Sequence, residues 1–503
     1  MRNKRLAMNM AANIFAFLVN LSISFLLTPY IVKRVGIDAY GFVSLGSNFV
    51  SYLQMFTIAL NSMAGRFIMV RIVQNDKDGA NRFFSTLVLS NALIAIVSVI
   101  PVSLLLFFLD RIVKIPLDLL VDVRLLWIFI FLNFLIGLVT SVFSVATFSV
   151  ERLDLTSLRE VEANLLKVVS LLLLFLFFTP KVWYIGFASV VFTLYTSITH
   201  VYYTKKFLPY IKVKKKYFDK ESVKVLLSSG IWNTINRMGQ LMLEGIDLLI
   251  ANLFIGPVGM GILALSKTLP NIISTLIGVL ANVFNPRFTS EYAKGNNDTF
   301  VSHVKQSIKI MSVFINIPVC ILAVFGGEFF RLWVPGQNAE QLQVLSLIAC
   351  AGLVFTGGTN TIFGVFTAVN QLKYNSISII ITGVLNTITV LILLKTTSLG
   401  LYAIAGISTV FITIKNVVFV IPYAAKLLQQ KPLVFHPIIV KSAVSFFIAL
   451  AIGFGVKYII HADTWLTLFF AAGITGSVGL GINLIVIIGT RQLKETIASF
   501  KHK

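Results

Sequence analysis

The sequence predicts an all-α polytopic integral membrane protein of about fourteen transmembrane helices, in two six-helix lobes related by an axis along the membrane normal plus two C-terminal helices. Three observations carry that prediction. Apolar residues make up 57% of the 503 and charged residues only 12%, which excludes a soluble globular domain. The apolar runs are continuous and about 20 residues or longer, the length a helix needs to cross hydrocarbon, whereas a barrel would show short alternating strands. A pattern of glycines, an Arg-Phe pair and a polar loop recurs about 220 residues along the chain.

The candidate spans lie near 8–32, 38–62, 82–108, 123–149, 158–178, 182–203, 224–254, 258–285, 304–326, 341–370, 374–394, 398–424, 437–460 and 464–489. The fifth is the least apolar, since Glu160, Glu162 and Lys167 fall in its first half. The first follows Arg2, Lys4 and Arg5, is too long for a signal peptide's apolar core and lacks a small-residue cleavage site, so it is expected to stay as an anchor. The chain divides into an N-terminal lobe (1–204), a basic cytoplasmic linker (205–223), a C-terminal lobe (224–430) and a final pair of helices with a cytoplasmic tail (431–503).

The first copy of the repeat reads Gly36-Ile37-Asp38-Ala39-Tyr40-Gly41, then Arg66-Phe67 and a loop through Asn75, Asp76, Lys77 and Asp78. The second reads Gly256-Pro257-Val258-Gly259-Met260-Gly261, then Arg287-Phe288 and a loop through Gly295, Asn296, Asn297 and Asp298. Two long helices that reverse within a few residues need positions tolerant of positive φ or of close backbone approach, which glycine supplies. Because an even number of spans precedes the linker, the second copy enters the membrane from the same side as the first. Two similar halves rocking about a central site are the usual plan of a transporter.

The net charge of +22 is mainly topological. With a cytoplasmic N-terminus, about 30 Lys and Arg fall in or beside cytoplasmic loops and about 9 in or beside outer ones, as the positive-inside rule requires. Nucleic acid is not an expected partner. The densest cluster, Lys205, Lys206, Lys212, Lys214, Lys215, Lys216 and Lys220, is expected to lie on anionic headgroups. Cys320 and Cys350 fall within spans, so neither a disulfide framework nor a thiolate metal site is expected; His200, His303, His436, His461 and His502 are scattered near span ends and make no metal site.

The string Thr28-Pro29-Tyr30-Ile31-Val32-Lys33-Arg34-Val35-Gly36-Ile37-Asp38-Ala39-Tyr40-Gly41 resembles the first helix hairpin of polysaccharide-biosynthesis transporters, the branch that contains Wzx-type O-antigen flippases. Asp247-Leu248-Leu249-Ile250-Ala251-Asn252-Leu253-Phe254-Ile255-Gly256 is similar to the corresponding stretch of their second lobe. The wider multidrug/oligosaccharidyl-lipid/polysaccharide exporter superfamily also holds drug/cation antiporters and lipid II flippases. The resemblance implies two six-helix bundles around a central cavity, alternating access and no ATP hydrolysis by the chain; no P-loop is present. It implies a flippase that moves an undecaprenyl-diphosphate-linked oligosaccharide, such as an O-antigen or other surface polysaccharide repeat unit, from the inner to the outer leaflet of the bacterial cytoplasmic membrane, with both termini cytoplasmic. No cofactor is expected beyond coupling to an H⁺ or Na⁺ gradient, and other polysaccharide-assembly proteins are candidate partners. The alternatives are an ion-coupled drug or organic-cation antiporter and, from another class, a membrane-embedded glycan polymerase or ligase. The latter would need a substantial outer loop with a catalytic acid/base pair, which the 327–340 segment with Glu328, Arg331, Trp333 and Pro335 does not offer.

Ionisable residues within the bilayer core are costly, and each is a candidate for function. Arg237, Gln240, Glu244 and Asp247 are spaced by 3, 4 and 3 and are expected along one face of the seventh span. Lys267 lies at a depth similar to that of Asp247, so a salt bridge is expected, either a permanent lock or a charge switch that meets an anionic substrate in one state. Lys415 lies in the cytoplasmic half of the twelfth span, where it lines a cavity or snorkels. Arg237, Lys267 and Lys415, with Gln240, form the expected substrate-binding set; Glu244 and Asp247 neutralise it when empty or bind a driving ion. Arg66 and Arg287 are expected to end their helices at the cytoplasmic surface, complementing the helix dipole, or, on the family resemblance, to greet a diphosphate there. Asn13 and Asn233 match across the repeat and are expected to hold helices together. Glu160 and Glu162 are expected among cytoplasmic headgroups. Gly326, Gly327 and Gly336 either hinge an outer lid or flank an aromatic anchor at Phe329, Phe330 and Trp333.

Overall fold

Hydrocarbon cannot satisfy backbone N–H and C=O groups, so a chain this apolar must fold into helices that bond internally. The structure, a computed structural model, describes residues 2–150 and 152–490, and among these it is helical with no strand. Twelve helices among the described residues are long and apolar enough to cross a membrane. Two further expected stretches take other forms. The 158–178 region is one continuous helix, Leu153–Phe177, that carries its charges on the way. The 224–254 region is a helix, Lys220–Gln240, a π-helical turn, Leu241–Gly245, and a second helix, Asp247–Phe254. The C-terminal tail with His502, and the side chain of Asn13, lie outside the described residues.

The chain packs as two compact units, Met1–Leu241 with Leu248–Gly261, and Met242–Asp247 with Ile262–Lys503. In the first, Trp127 is fully buried among Phe42, Phe49 and Phe131, and its indole N–H donates to the Phe42 carbonyl at 3.2 Å. Asn61 and Asn91 exchange amide hydrogen bonds at 2.9 and 3.0 Å, and Asn91 also reaches the Leu138 carbonyl, joining three helices. Asn252 is fully buried and bonds both the N–H and the C=O of Lys114 at 2.8 and 3.0 Å, anchoring the 248–261 segment.

The repeated glycines have two separate causes. Gly36 and Gly256 adopt φ of 93° and 117° at the helix reversals, a region L-residues rarely enter. Gly41 and Gly261 instead allow backbones to touch: a Cβ on Gly261 would lie 2.2 Å from the Ile37 carbonyl oxygen, and one on Gly41 would lie 3.0 Å from the Gly261 Cα. The repeated polar loops are helix starts. Asn75 and Gly295 take positive φ, and the next residues, Asp76 and Asn296, cap the helices Lys77–Phe107 and Asn297–Trp333 by accepting from Gly79 N–H and Thr299 N–H.

The basic linker is a strap fastened to the Lys77–Phe107 helix. Asn81 bonds the Tyr210 carbonyl and the Lys212 N–H, Ser85 the Lys212 carbonyl, and Thr86 the Tyr217 carbonyl and the Asp219 N–H. The strap ends at Asp219, which caps Lys220–Gln240 by accepting from the Ser222 hydroxyl and N–H at 2.6 and 2.9 Å and from Glu221 N–H. Those bonds, the Ser222 hydroxyl foremost, hold its carboxyl below the usual carboxylate value.

In the second unit the 37-residue helix Asn297–Trp333 is central. Its Asn316 donates to the Ser442 carbonyl at 2.9 Å, and Asn483 donates to the Val313 carbonyl while accepting from Ser445. Phe288, Phe300, Phe366 and Phe435 close one end of its core. This helix corrects the outer-loop reading, because it runs through Gly326 and Gly327 to Trp333. Both glycines face Gln343, and Phe330 and Trp333 are buried, so the aromatics pack instead of hinging. Glu328 is clamped by Lys457 at 2.8 Å. Only Gly336, with φ of 92°, sits in a turn of the expected kind.

Two tests follow from this packing. Gly261→Ala and Gly230→Ala, the latter placing a Cβ 2.0 Å from the Ala59 carbonyl, each lower thermal stability in detergent by about 1–3 kcal/mol of overpacking, whereas Gly278→Ala, with open space, does not. Asp219→Ala costs about 1 kcal/mol of capping, measured the same way. Because the folded carboxyl titrates below its ordinary value, its contribution is complete at neutral pH and is lost as pH falls through that depressed value.

Candidate functional site

The seventh span is not the unbroken α-helix on which the expected stripe rested. A π-helical turn at Leu241–Gly245 and a bend at Ile246 interrupt the 3.6-residue spacing between Gln240 and Asp247. Arg237 is half-buried and donates to the Gln240 side chain at 3.3 Å; Gln240 is exposed and donates to Asn236 at 3.0 Å. Glu244 is exposed on the π turn and has no ion pair among the described residues. Asp247, 2% exposed, is buried against the Lys267 ammonium, which donates to its carboxylate. The expected pair is therefore present. Lys267 occupies the break between helices Pro257–Ser266 and Thr268–Asn282, where a long side chain can turn inward without opposing a continuous helix.

Lys415 does not snorkel. It is 8% exposed, opens a second π-helical segment, Lys415–Val420, and holds its ammonium over the Phe363 ring, 5.9 Å from the centroid. Arg66 and Arg287 differ from expectation in one physical respect: each is the third residue of a short helix, Ala64–Val73 or Asn285–Ala293, so neither complements a C-terminal dipole. Both are exposed. Arg287 donates to His303 Nε2 at 3.0 Å, and Glu291, paired with Lys294 at 2.8 Å, lies nearby. Asn233 donates to Ser62 at 3.2 Å. Glu162 pairs with Arg159 at 2.6 Å and accepts from Tyr195. Cys320 and Cys350 are buried free thiols, and no three His, Cys, Asp or Glu side chains gather as metal ligands among the described residues.

The sequence reading missed a cavity of about 750 Å³ inside the first unit. One wall is a single face of the Ile37–Asn61 helix bearing Ser47, Ser51, Gln54 and Asn61; Asn133 and Ser189 come from neighbouring helices, and Lys167 from Leu153–Phe177. The signal was present as hydroxyl and amide residues at helical spacing in an otherwise apolar span. Those hydroxyl and amide residues carry no charge, and charge was the criterion that singled out residues elsewhere.

The family described as "Polysaccharide biosynthesis protein" matches residues 6–292, more than half of the chain. The chain belongs to that family. A relative from Bacillus subtilis (strain 168), "Uncharacterized membrane protein EpsK", is 29% identical over 493 residues, covering 98% of this chain and 97% of the relative. Among solved structures, the chain is similar to an inward-facing multidrug resistance MATE family transporter of the MOP superfamily (TM-score 0.69, 15% identity, 84% of this chain and 98% of that one). It is also similar to "Lipid II flippase MurJ, inward closed conformation" (TM-score 0.67, 13% identity, 96% and 100%). At these identities the solved structures establish the fold. This member of the polysaccharide biosynthesis family is a multi-pass membrane protein with a fold shared with solved transporters and flippases.

In this member the Asp247–Lys267 pair is the most buried ion pair of the candidate set. Truncating one partner strands the other charge, so Lys267→Ala lowers stability by about 3–5 kcal/mol, while Asp247→Asn combined with Lys267→Gln costs clearly less. Thermal unfolding of the purified variants in one detergent measures both; equal losses would mean the pair is not coupled.

Proposed function

We propose that the protein is a flippase that carries an undecaprenyl-diphosphate-linked oligosaccharide, a surface polysaccharide repeat unit, from the inner to the outer leaflet by alternating access. The carrying observation is the family match over 6–292. It is supported by cations kept within membrane helices, Lys267 beside Asp247 and buried Lys415, because a diphosphate taken out of water needs positive partners. Arg237 and Gln240 extend that set, and Arg66 and Arg287 are exposed cations for a phosphate arriving from the headgroup layer. Glu244 and Asp247 are the coupling or charge-switch groups, with H⁺ or Na⁺ as the driving ion.

The proposal places the chain in the bacterial cytoplasmic membrane with both termini inside, the exposed lysines of the 205–220 strap on anionic lipid. The protein then acts without cofactor or catalytic chemistry of its own, alongside other polysaccharide-assembly proteins. An ion-coupled antiporter of organic cations is favoured by one observation, the exposed and unpaired Glu244. Buried Lys415 opposes it, since an intramembrane cation repels such a substrate.

Expression in a bacterium lacking its O-antigen flippase tests the reading. The wild type restores surface glycan; Arg237→Ala and the double variant Asp247→Asn with Lys267→Gln, at equal protein level, reduce it at least tenfold. Glycan retained by both variants would remove these residues from the site. Export of cationic dyes without glycan transport would favour the antiporter.

A further inference from the structure

The cavity of the first unit contains one charge and no acid. Its lining is Lys167 with hydroxyl, amide and aliphatic side chains. Lys167 sits well inside the Leu153–Phe177 helix, about 20 Å from one end and 15 Å from the other, too deep for its stem to reach water at either end. Its neighbours Leu165, Leu166 and Val169 are exposed and supply that helix's apolar outer face. Lys167 lies on the cavity wall, with no hydrogen-bond or ion-pair partner among the described residues. A lone ammonium in such a place is costly unless it serves an anion.

The remaining polar groups restrict that anion. Ser47, Ser51 and Ser189 donate to carbonyls of their own helices at 3.0, 3.2 and 2.9 Å, so their oxygens are left to accept from ligand hydroxyls. Gln54 is exposed to the cavity, and its amide has no partner among the described residues, leaving it free to donate and accept. Leu126, Ile130 and Phe134 supply an apolar side for a sugar ring's C–H face. One ammonium balances one carboxylate; a diphosphate, carrying more than one charge, would stay under-neutralised here.

Resting on the flippase reading, we infer that this cavity is a glycan subsite for a single acidic sugar of the uronic acid type, with the Lys167 ammonium on its carboxylate and Gln54 beside it. The protein therefore selects a repeat unit that carries a negative sugar.

The test uses purified full-length protein in nanodiscs and two disaccharides, glucuronyl-β-1,4-glucose and neutral cellobiose, with inorganic diphosphate as competitor. The wild type binds the acidic disaccharide roughly tenfold or more tightly than cellobiose, the worth of a charge-assisted bond. Lys167→Gln and Lys167→Met abolish the preference, Lys167→Arg keeps it, and Gln54→Ala weakens binding of the acidic sugar; unchanged melting temperatures establish that the variants fold. No binding of the acidic sugar, equal binding of the two sugars, a preference that survives Lys167→Gln, or displacement by equimolar diphosphate each overturns the inference. Flipping is read separately in the complementing strain. Transport of neutral glycans with no acidic preference leaves the flippase and sinks the subsite, whereas acidic-sugar binding without glycan transport leaves the subsite and sinks the flippase.

Discussion

The absence of hydrogen-bond partners in hydrocarbon governs this molecule more than any single contact. Every polar side chain carried into a span has to find protein, and the structure answers with paired amides and carbonyls: Asn61 with Asn91, Asn252 with the Lys114 backbone, Asn316 with Ser442, and Asn483 between Val313 and Ser445. These bonds fix which helices lie side by side where apolar packing alone, with lipid as apolar as leucine, discriminates poorly. The same rule makes the remaining unpaired or singly paired charges informative, since each is retained against a cost that packing does not offset.

Much of the fold was legible because its signals are long or local. Span length and continuous apolarity marked the membrane helices. The turn glycines announced reversals that φ values at Gly36 and Gly256 make concrete, and depth counted from one such turn placed Asp247 beside Lys267. What failed had a common origin in the assumption of an unbroken 3.6-residue helix. The π turn at Leu241–Gly245 interrupts the helical spacing between Arg237 and Asp247, and helix breaks just before Arg66 and Arg287 turned supposed helix ends into helix starts. Nothing in residue type distinguishes a π turn from an α turn, so that error was not avoidable from spacing.

The cavity of the first unit was illegible for another reason. Its wall is assembled from four helices spread over about 150 residues, and three of them contribute unremarkable serines, threonines or amides that read as ordinary helix contacts. Lys167 was visible only as a blemish on an apolar span. Its meaning comes from the company the fold assembles around it, which has no sequence period to find.

The strap between residues 208 and 219 is held through its own main-chain N–H and C=O groups, with Asn81, Ser85 and Thr86 supplying the side chains. The lysine side chains take no part in those bonds. Folding thus places little restriction on the strap's exposed lysine side chains, and their charge can drift or be rewritten over generations while Leu208, Ile211 and Asp219 keep the strap in place. That separation lets this charged surface of the protein evolve toward new lipids or partners independently of the helices beneath it.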